Sequence, residues 1–236
     1  QLLLAMNSHE SPPSQVIDAE GLVNGLAEIY YKLADPISGG MQGEPKFPMP
    51  FHLNFMLRIE DTRALFYASK TLEMMHRGGI YDHLGGGFSR YAVDADWLIP
   101  HFEKMLYDNA LIVFTYIEGW QKTQNPLFKE IAEETLHYLS SVMRHPDGAF
   151  YSAQDADTEG QEGLFYTWTR EEISPILGEQ EGRLFQEFYN VDAEGHFEAG
   201  RSVLYQEISV EAFARRHRLD PLQFPEQLAK WRHQLW

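Results

Sequence analysis

Cysteine is absent from the 236 residues, which excludes disulfides, thiolate nucleophiles, cysteine-ligated zinc and iron–sulfur clusters from this chain. Basic residues are scarce: 19 Lys and Arg stand against 35 Asp and Glu, a formal charge of -16. Such a surface repels phosphate, so neither nucleic acid nor an anionic membrane is expected as a partner, and neutral or cationic ligands fit better. No apolar run approaches the ~20 residues of a membrane span, and the opening Gln1 to Met6 lacks the basic lead of a signal peptide, so a cytoplasmic location is expected. Linkers, charge runs and low-complexity tracts are missing too, which predicts a single domain over residues 1–236. The start without Met and the finish at Trp236, inside an apparent helix, suggest a fragment of a longer protein.

What remains is a globular composition, 44% hydrophobic and 14% aromatic, ample for a core at this length. Its conspicuous stretch is Gly78 to Trp120, which crowds glycine clusters, histidines and carboxylates into a loop that runs into an apolar helix. Loops on a rigid scaffold are where chemistry usually sits.

Apolar residues at spacings of three and four predict a helix from Val16 to Leu33, between Pro12-Pro13 and Asp35-Pro36. An irregular Gly- and Pro-rich segment through Pro50, a short helix over about 51–58, and a helix capped by Asp61 and ended by Gly78-Gly79 should follow. Residues 87–91 and 97–99 read as a short hairpin. A helix buried on most sides is expected from Phe102 to about Gln121. A second, with a one-sided stripe, is expected over 127–144.

Residues 149–152 and 164–168 read as another strand pair, and Thr169 with Glu172 as the capping box of a helix through Leu177. A further helix over about 181–189, an extended 202–205, and a last helix opened by Asp220-Pro221 complete the pattern. Helical hairpins joined by long, strand-bearing loops predict an all-α chain, an α/α toroid in the form of a partial six-hairpin barrel with short β-hairpins in the loops. A four-helix bundle would have shorter connections.

Helical spacing would line up His101, Lys104 and Asp108 on one face and set Glu103 beside Tyr107, a group able to exchange protons with a ligand. The competing reading is a Lys104–Asp108 ion pair with His101 as a cap. Asp82-His83 leads into Gly85-Gly86-Gly87, followed by Arg90 and Tyr91. A phosphate cradle there lacks the Lys and Ser/Thr of a P-loop, so a tight turn fits better. Asp155 and Asp157 could share acid and base work, or simply cap turns. No His and carboxylate spacing matches a metal site, and neither a metal nor a cofactor is expected. Asp82, His83, His101, Asp155 and Asp157 are therefore the catalytic candidates. Arg90, Tyr91, Trp97, Glu103, Lys104, Asp108 and Trp168 are the substrate-binding ones.

The wording of Glu44–Pro48, Gly78–Tyr91, Trp97–Asp108, Tyr151–Asp157, Glu162–Trp168 and Gly195–Leu204 closely resembles the spermatogenesis-associated, thioredoxin-like family. That resemblance covers about Leu22 to Tyr205. It implies part of a helical toroid similar to six-hairpin glycosidases and N-acylglucosamine 2-epimerases, which in the family follows a thioredoxin-like domain. This chain differs from the family at Met41-Gln42 and at His196. By fold analogy the resemblance implies a sugar-like ligand and acid/base chemistry of hydrolase or epimerase type. The alternative is a non-catalytic module that serves the thioredoxin-like domain.

Overall fold

The computed structural model describes residues 18–236, which divide into two compact units, 18–33 and 34–236. In the first unit, helix α1 spans Ala19–Leu33. The carboxylate of Asp18 accepts the Gly21 amide at 2.9 Å at its start. The predicted start at Val16, with Pro12 and Pro13, lies outside the described residues.

The second unit carries eight more helices among its described residues. These are α2 (Pro50–Arg58), α3 (Thr62–Arg77), α4 (Leu106–Thr123), α5 (Pro126–Ser141), α6 (Arg170–Leu177), α7 (Glu179–Phe188), α8 (Val210–Arg216) and α9 (Phe224–Leu235). Local chemistry sets many of their ends. Asp61 accepts the Arg63 amide ahead of α3, Asn125 accepts the Leu127 amide ahead of α5, and Thr169 and Glu172 form the expected reciprocal box ahead of α6. Helices α2, α3, α4 and α5 pack together around Met56, Leu72, Tyr116 and Ile131, and α6, α7, α8 and α9 around Phe185, Phe213 and Trp231.

Six two-residue strands sit in the connections: β1 (Lys104–Met105) with β2 (Ala153–Gln154), β3 (Asp157–Thr158) with β4 (Gln161–Glu162), and β5 (Thr167–Trp168) with β6 (Ser202–Val203), all antiparallel. The register sets Lys104 opposite Gln154 and Thr167 opposite Val203. These pairings tie together loops that are far apart in sequence.

Four sequence expectations are corrected. The helix expected from Phe102 begins only at Leu106, because Phe102 holds φ at 50° and Lys104–Met105 is pulled into a strand with Ala153–Gln154. A left-handed residue cannot continue a helix, so His101, Glu103 and Lys104 share no helical face with Asp108. That helix is otherwise buried on most sides as expected, with Tyr107, Phe114, Gln121 and Lys122 exposed along one narrow stripe. The strand pair expected between 149–152 and 164–168 does not form; 164–166 is a 3-10 turn, and the residues after it pair with Ser202–Val203. Asp220 closes a turn by accepting the Leu222 amide at 2.9 Å, and the last helix starts at Phe224. The hairpin expected between 87–91 and 97–99 is displaced along the chain: Val93 donates to Ile99 O, His101 donates to Tyr91 O, and a single bridge joins Ala92 and Pro100.

One construction occurs twice. The Asp35 carboxylate accepts the amides of Ile37 and Ser38, and its own amide donates to Gly40 O at 2.8 Å. The Lys46 ammonium then donates to Asp35 at 2.6 Å and to Gly39 O at 2.9 Å, 5.2 Å from the Trp97 ring centre. Forty-seven residues on (82 minus 35), Asp82 accepts the amides of Leu84 and Gly85, and its amide donates to Gly87 O at 3.0 Å. There Lys104 donates to Asp82 at 2.7 Å and to Gly86 O at 2.9 Å, over the Tyr138 ring at 4.5 Å. Bridges Ala34–Met41 and Tyr81–Phe88 close the two turns alike. Gly40 and Gly87 stand at φ 69° and 79°, and a Cβ on either would lie 2.5 Å from the Trp97 or Tyr138 ring. Only glycine fits there.

Candidate functional site

The second of these turns borders a cavity of about 260 Å³. Phe102, Phe165, Tyr166, Trp168 and Trp236 give it an aromatic wall, and Asp82, His83, Ser89, Glu172 and Arg201 bring polar groups to it. Pairing of β5 with β6 is what carries Trp168 and Arg201 to one place. Phe102, in its left-handed conformation, stacks on Tyr166 at 5.7 Å between ring centres.

Most polar groups here are already engaged. Asp82 holds two amides and the Lys104 ammonium. Burial lowers the pKa of Lys104, and Asp82 opposes that shift. His83 is 2% exposed, with Nε2 3.2 Å from Gly78 O and Nδ1 3.3 Å from the Gln206 amide nitrogen. A neutral ring meets both contacts, donating from Nε2 and accepting at Nδ1, and burial holds its pKa well below the ordinary histidine value. Arg201 donates to both oxygens of Glu172 at 2.9 Å and to Thr167 Oγ1 at 2.8 Å. Burial pushes the Glu172 carboxyl up, but the hydrogen bonds from Arg201 and the Thr169 amide outweigh it, and the pKa ends below its usual value.

Tyr166 differs. Its hydroxyl is buried without a hydrogen-bond partner among the described residues, and burial pushes its phenol pKa up. Its ring lies 4.9 Å from the Lys104 ammonium. An unsatisfied buried hydroxyl costs about 1–3 kcal/mol. A bound acceptor would recover that energy.

Behind the cavity lies a buried ionic group. Tyr81 donates its hydroxyl to Glu134, which also accepts from Arg232 at 3.0 and 3.1 Å. His76 packs its ring 5.6 Å from His83, and burial depresses its pKa to about 4.

Of the predicted site residues, Asp82, His83 and Trp168 line this cavity, and Lys104 reaches it through Asp82. The others do not line it. His101 stacks on Tyr91 at 4.9 Å and meets Glu162 at 3.0 Å. Asp155 and Asp157 are exposed, and Asp155 accepts the Asp157 amide at 3.1 Å in a turn. Trp97 is fully buried and donates to Ser38 O at 2.8 Å. Arg90 and Asp108 line a separate cavity, with Glu103 4.0 Å from Arg90. Tyr166, Glu172 and Arg201 were not singled out from sequence, although the first two neighbour Trp168 and Arg201 lies within Gly195–Leu204. No group of three or more His, Cys, Asp or Glu side chains suited to a metal occurs among the described residues, nor does any helix long and apolar enough to cross a membrane.

Mostly helical and with strand-bearing connections, the chain has the architecture of an α/α toroid. It superposes on a sugar epimerase from a ruminal bacterium with TM-score 0.50 at 13% identity, covering 91% of this chain and 70% of that one. A cellobiose 2-epimerase from Spirochaeta thermophila gives TM-score 0.49 at 22% identity over 60% of this chain and 41% of that one. No family model matches the sequence. Relatives are nevertheless clear: spermatogenesis-associated protein 20 of mouse is 36% identical over 77% of this chain and 27% of its own length. The human protein is 34% identical over 92% and 31%. The chain is thus a homologue of one stretch of the spermatogenesis-associated protein 20 family, spanning less than a third of those relatives.

Proposed function

We propose that this domain recognises a small sugar-like molecule in the cavity bounded by Tyr166, Trp168 and Arg201, as part of a carbohydrate-processing protein. The observation that carries this reading is Tyr166, which lines a cavity with one aromatic wall and one polar wall and whose buried hydroxyl has no hydrogen-bond partner among the described residues. Apolar ring faces and hydroxyl edges are what such walls suit. The fold shared with a sugar epimerase supports the ligand class.

Glycoside hydrolysis fits this lining poorly, and epimerase-type acid/base chemistry would need one of Asp82, His83 or Glu172 to leave its present partner. A glycosidase needs two carboxyls facing each other across the bond. The lining carboxylates Asp82 and Glu172 are each committed to a cation, and Asp155 and Asp157 stand outside the lining. The second reading, a binding module without chemistry of its own that serves a thioredoxin-like domain, is favoured by His83, whose two nitrogens are both engaged.

Tyr166→Phe is the discriminating variant. It removes an unsatisfied hydroxyl, so the folded protein should be as stable as the parent or more so. A thermal-shift panel of sugars and sugar phosphates should find one class that stabilises the parent, with affinity lost about three- to tenfold in Tyr166→Phe and retained in Asp155→Asn. A panel in which no sugar shifts the parent, or in which Tyr166→Phe responds like the parent, overturns the assignment.

A further inference from the structure

A second cavity of about 260 Å³ lies apart from the first, against α2 and the start of α4. Its walls are largely apolar, and Phe47, Met49, Phe51 and Tyr107 are 40%, 37%, 70% and 48% exposed there. Four such side chains left in water beside a concavity mark a binding surface more than chance exposure does. Two ionic groups enter it, Arg90 and Asp108.

Neither closes on a side-chain partner within hydrogen-bond distance among the described residues, and Arg90 is open to water at 44% exposure. The Arg90 guanidinium makes contacts of 4.0 Å with Glu103 and with Asp108, beyond hydrogen-bond distance. Asp108 Oδ2 is buried and has no hydrogen-bond partner among the described residues. Burial, opposed by Arg90 and reinforced by Glu103, pushes the Asp108 carboxyl up to about 6. The Asp35–Lys46 and Asp82–Lys104 pairs close at 2.6 and 2.7 Å. Arg90 and Asp108 instead stand apart, one a forked donor and the other an acceptor.

The geometry points to a site for a free, zwitterionic amino acid with an apolar side chain: Arg90 takes its carboxylate, Asp108 its ammonium, and Phe47, Met49 and Phe51 its side chain. A guanidinium matches a carboxylate in two parallel hydrogen bonds, and the ammonium supplies the donor that Asp108 Oδ2 lacks. A sugar would leave the apolar wall wet and the two charges unmatched. A simple carboxylic acid would meet Arg90 but face Asp108 and Glu103 with like charge, and a simple amine would leave Arg90 unmatched. Only a ligand with both charges on one carbon answers both. This site is independent of the sugar-like ligand proposed for the first cavity.

Calorimetric titration with L-phenylalanine and L-leucine tests the assignment, with phenethylamine and 3-phenylpropionate as single-charge analogues. The parent should bind at least one amino acid saturably and each analogue about tenfold to a hundredfold more weakly. Arg90→Gln should weaken the amino acid by a similar factor while leaving phenethylamine unchanged. Asp108→Asn should weaken the amino acid and leave 3-phenylpropionate unchanged or better bound. Both positions are partly exposed, and unchanged far-ultraviolet dichroism and melting midpoint show that each variant is folded. Absence of saturable amino-acid binding to the parent overturns the site, and so does binding that neither substitution changes.

Discussion

Replacing Lys104 with Met tests whether the most conspicuous charged pair of the glycine loop is architecture or chemistry. Lys104 and Asp82 are 1% and 11% exposed and meet at 2.7 Å. Removing one partner of a buried pair costs about 3–5 kcal/mol, because the other charge stays behind. Two features place Lys104→Met near the lower end. Asp82 keeps the amides of Leu84 and Gly85 and borders a cavity that water can enter. Burial of the ammonium is itself unfavourable, as its lowered pKa shows, and Met relieves that. The expected loss is about 3 kcal/mol, or about 6–12 °C in midpoint for a chain of this size. Lys46→Met is the internal control, since Lys46 closes the other turn on Asp35 with the same contacts. Guanidinium denaturation followed by tryptophan fluorescence should give both variants a lower transition midpoint at an unchanged slope, with losses within about 1 kcal/mol of each other. If Lys46→Met loses about 3 kcal/mol and Lys104→Met less than about 1, the two pairs are not equivalent and the reasoning fails.

Gly87→Ala should cost more than the ordinary ~1 kcal/mol of a glycine-to-alanine strain, because the new methyl would also meet the Tyr138 ring at 2.5 Å with φ at 79°; a melting curve that matches the parent refutes it. His76 contributes in the direction of a depressed histidine. Its folded pKa of about 4 lies below 6.5, so stability is complete above pH 6.5 and falls as pH drops from 6.5 toward 4, by about 2 kcal/mol at pH 5. Asp108, raised to about 6, works in the opposite sense over the same range. His76→Gln should therefore lose less stability than the parent between pH 7.5 and 5, and Asp108→Asn more. Parallel stability–pH curves for the three proteins would refute both assignments.

Much of the helical framework was legible because its signals are local. Asp61 ahead of Thr62 and the Thr169–Glu172 box each act within one turn and came out as read. What sequence could not supply was anything decided by a partner far along the chain. Lys104 looked helical by spacing, yet its backbone pairs with Gln154, 50 residues on (154 minus 104). Leu164–Trp168 has the composition of a strand, but only Thr167–Trp168 pairs, with Ser202–Val203 and not with Ala149–Ser152. Arg201 was overlooked for the same reason, since its link to Glu172 exists only once β5 and β6 have met.

The same logic separates conspicuous residues from available ones. An aspartate followed by paired glycines, with a lysine downstream, occurs at Asp35 as well as at Asp82. That duplication was a readable hint that the motif builds turns, because a catalytic group has no reason to recur in a second, differently situated loop. Charges such as Asp82 and Lys104 draw attention by composition, and the fold has consumed them in each other. The groups it has left unpaired are quieter in sequence: a tyrosine in an aromatic run, and an arginine and an aspartate that fail to close on each other by about an ångström. A ligand gains free energy only from contacts the protein has not already made with itself. The two proposed sites therefore rest on Tyr166, Arg90 and Asp108 and not on the charged residues that the glycine loop displays.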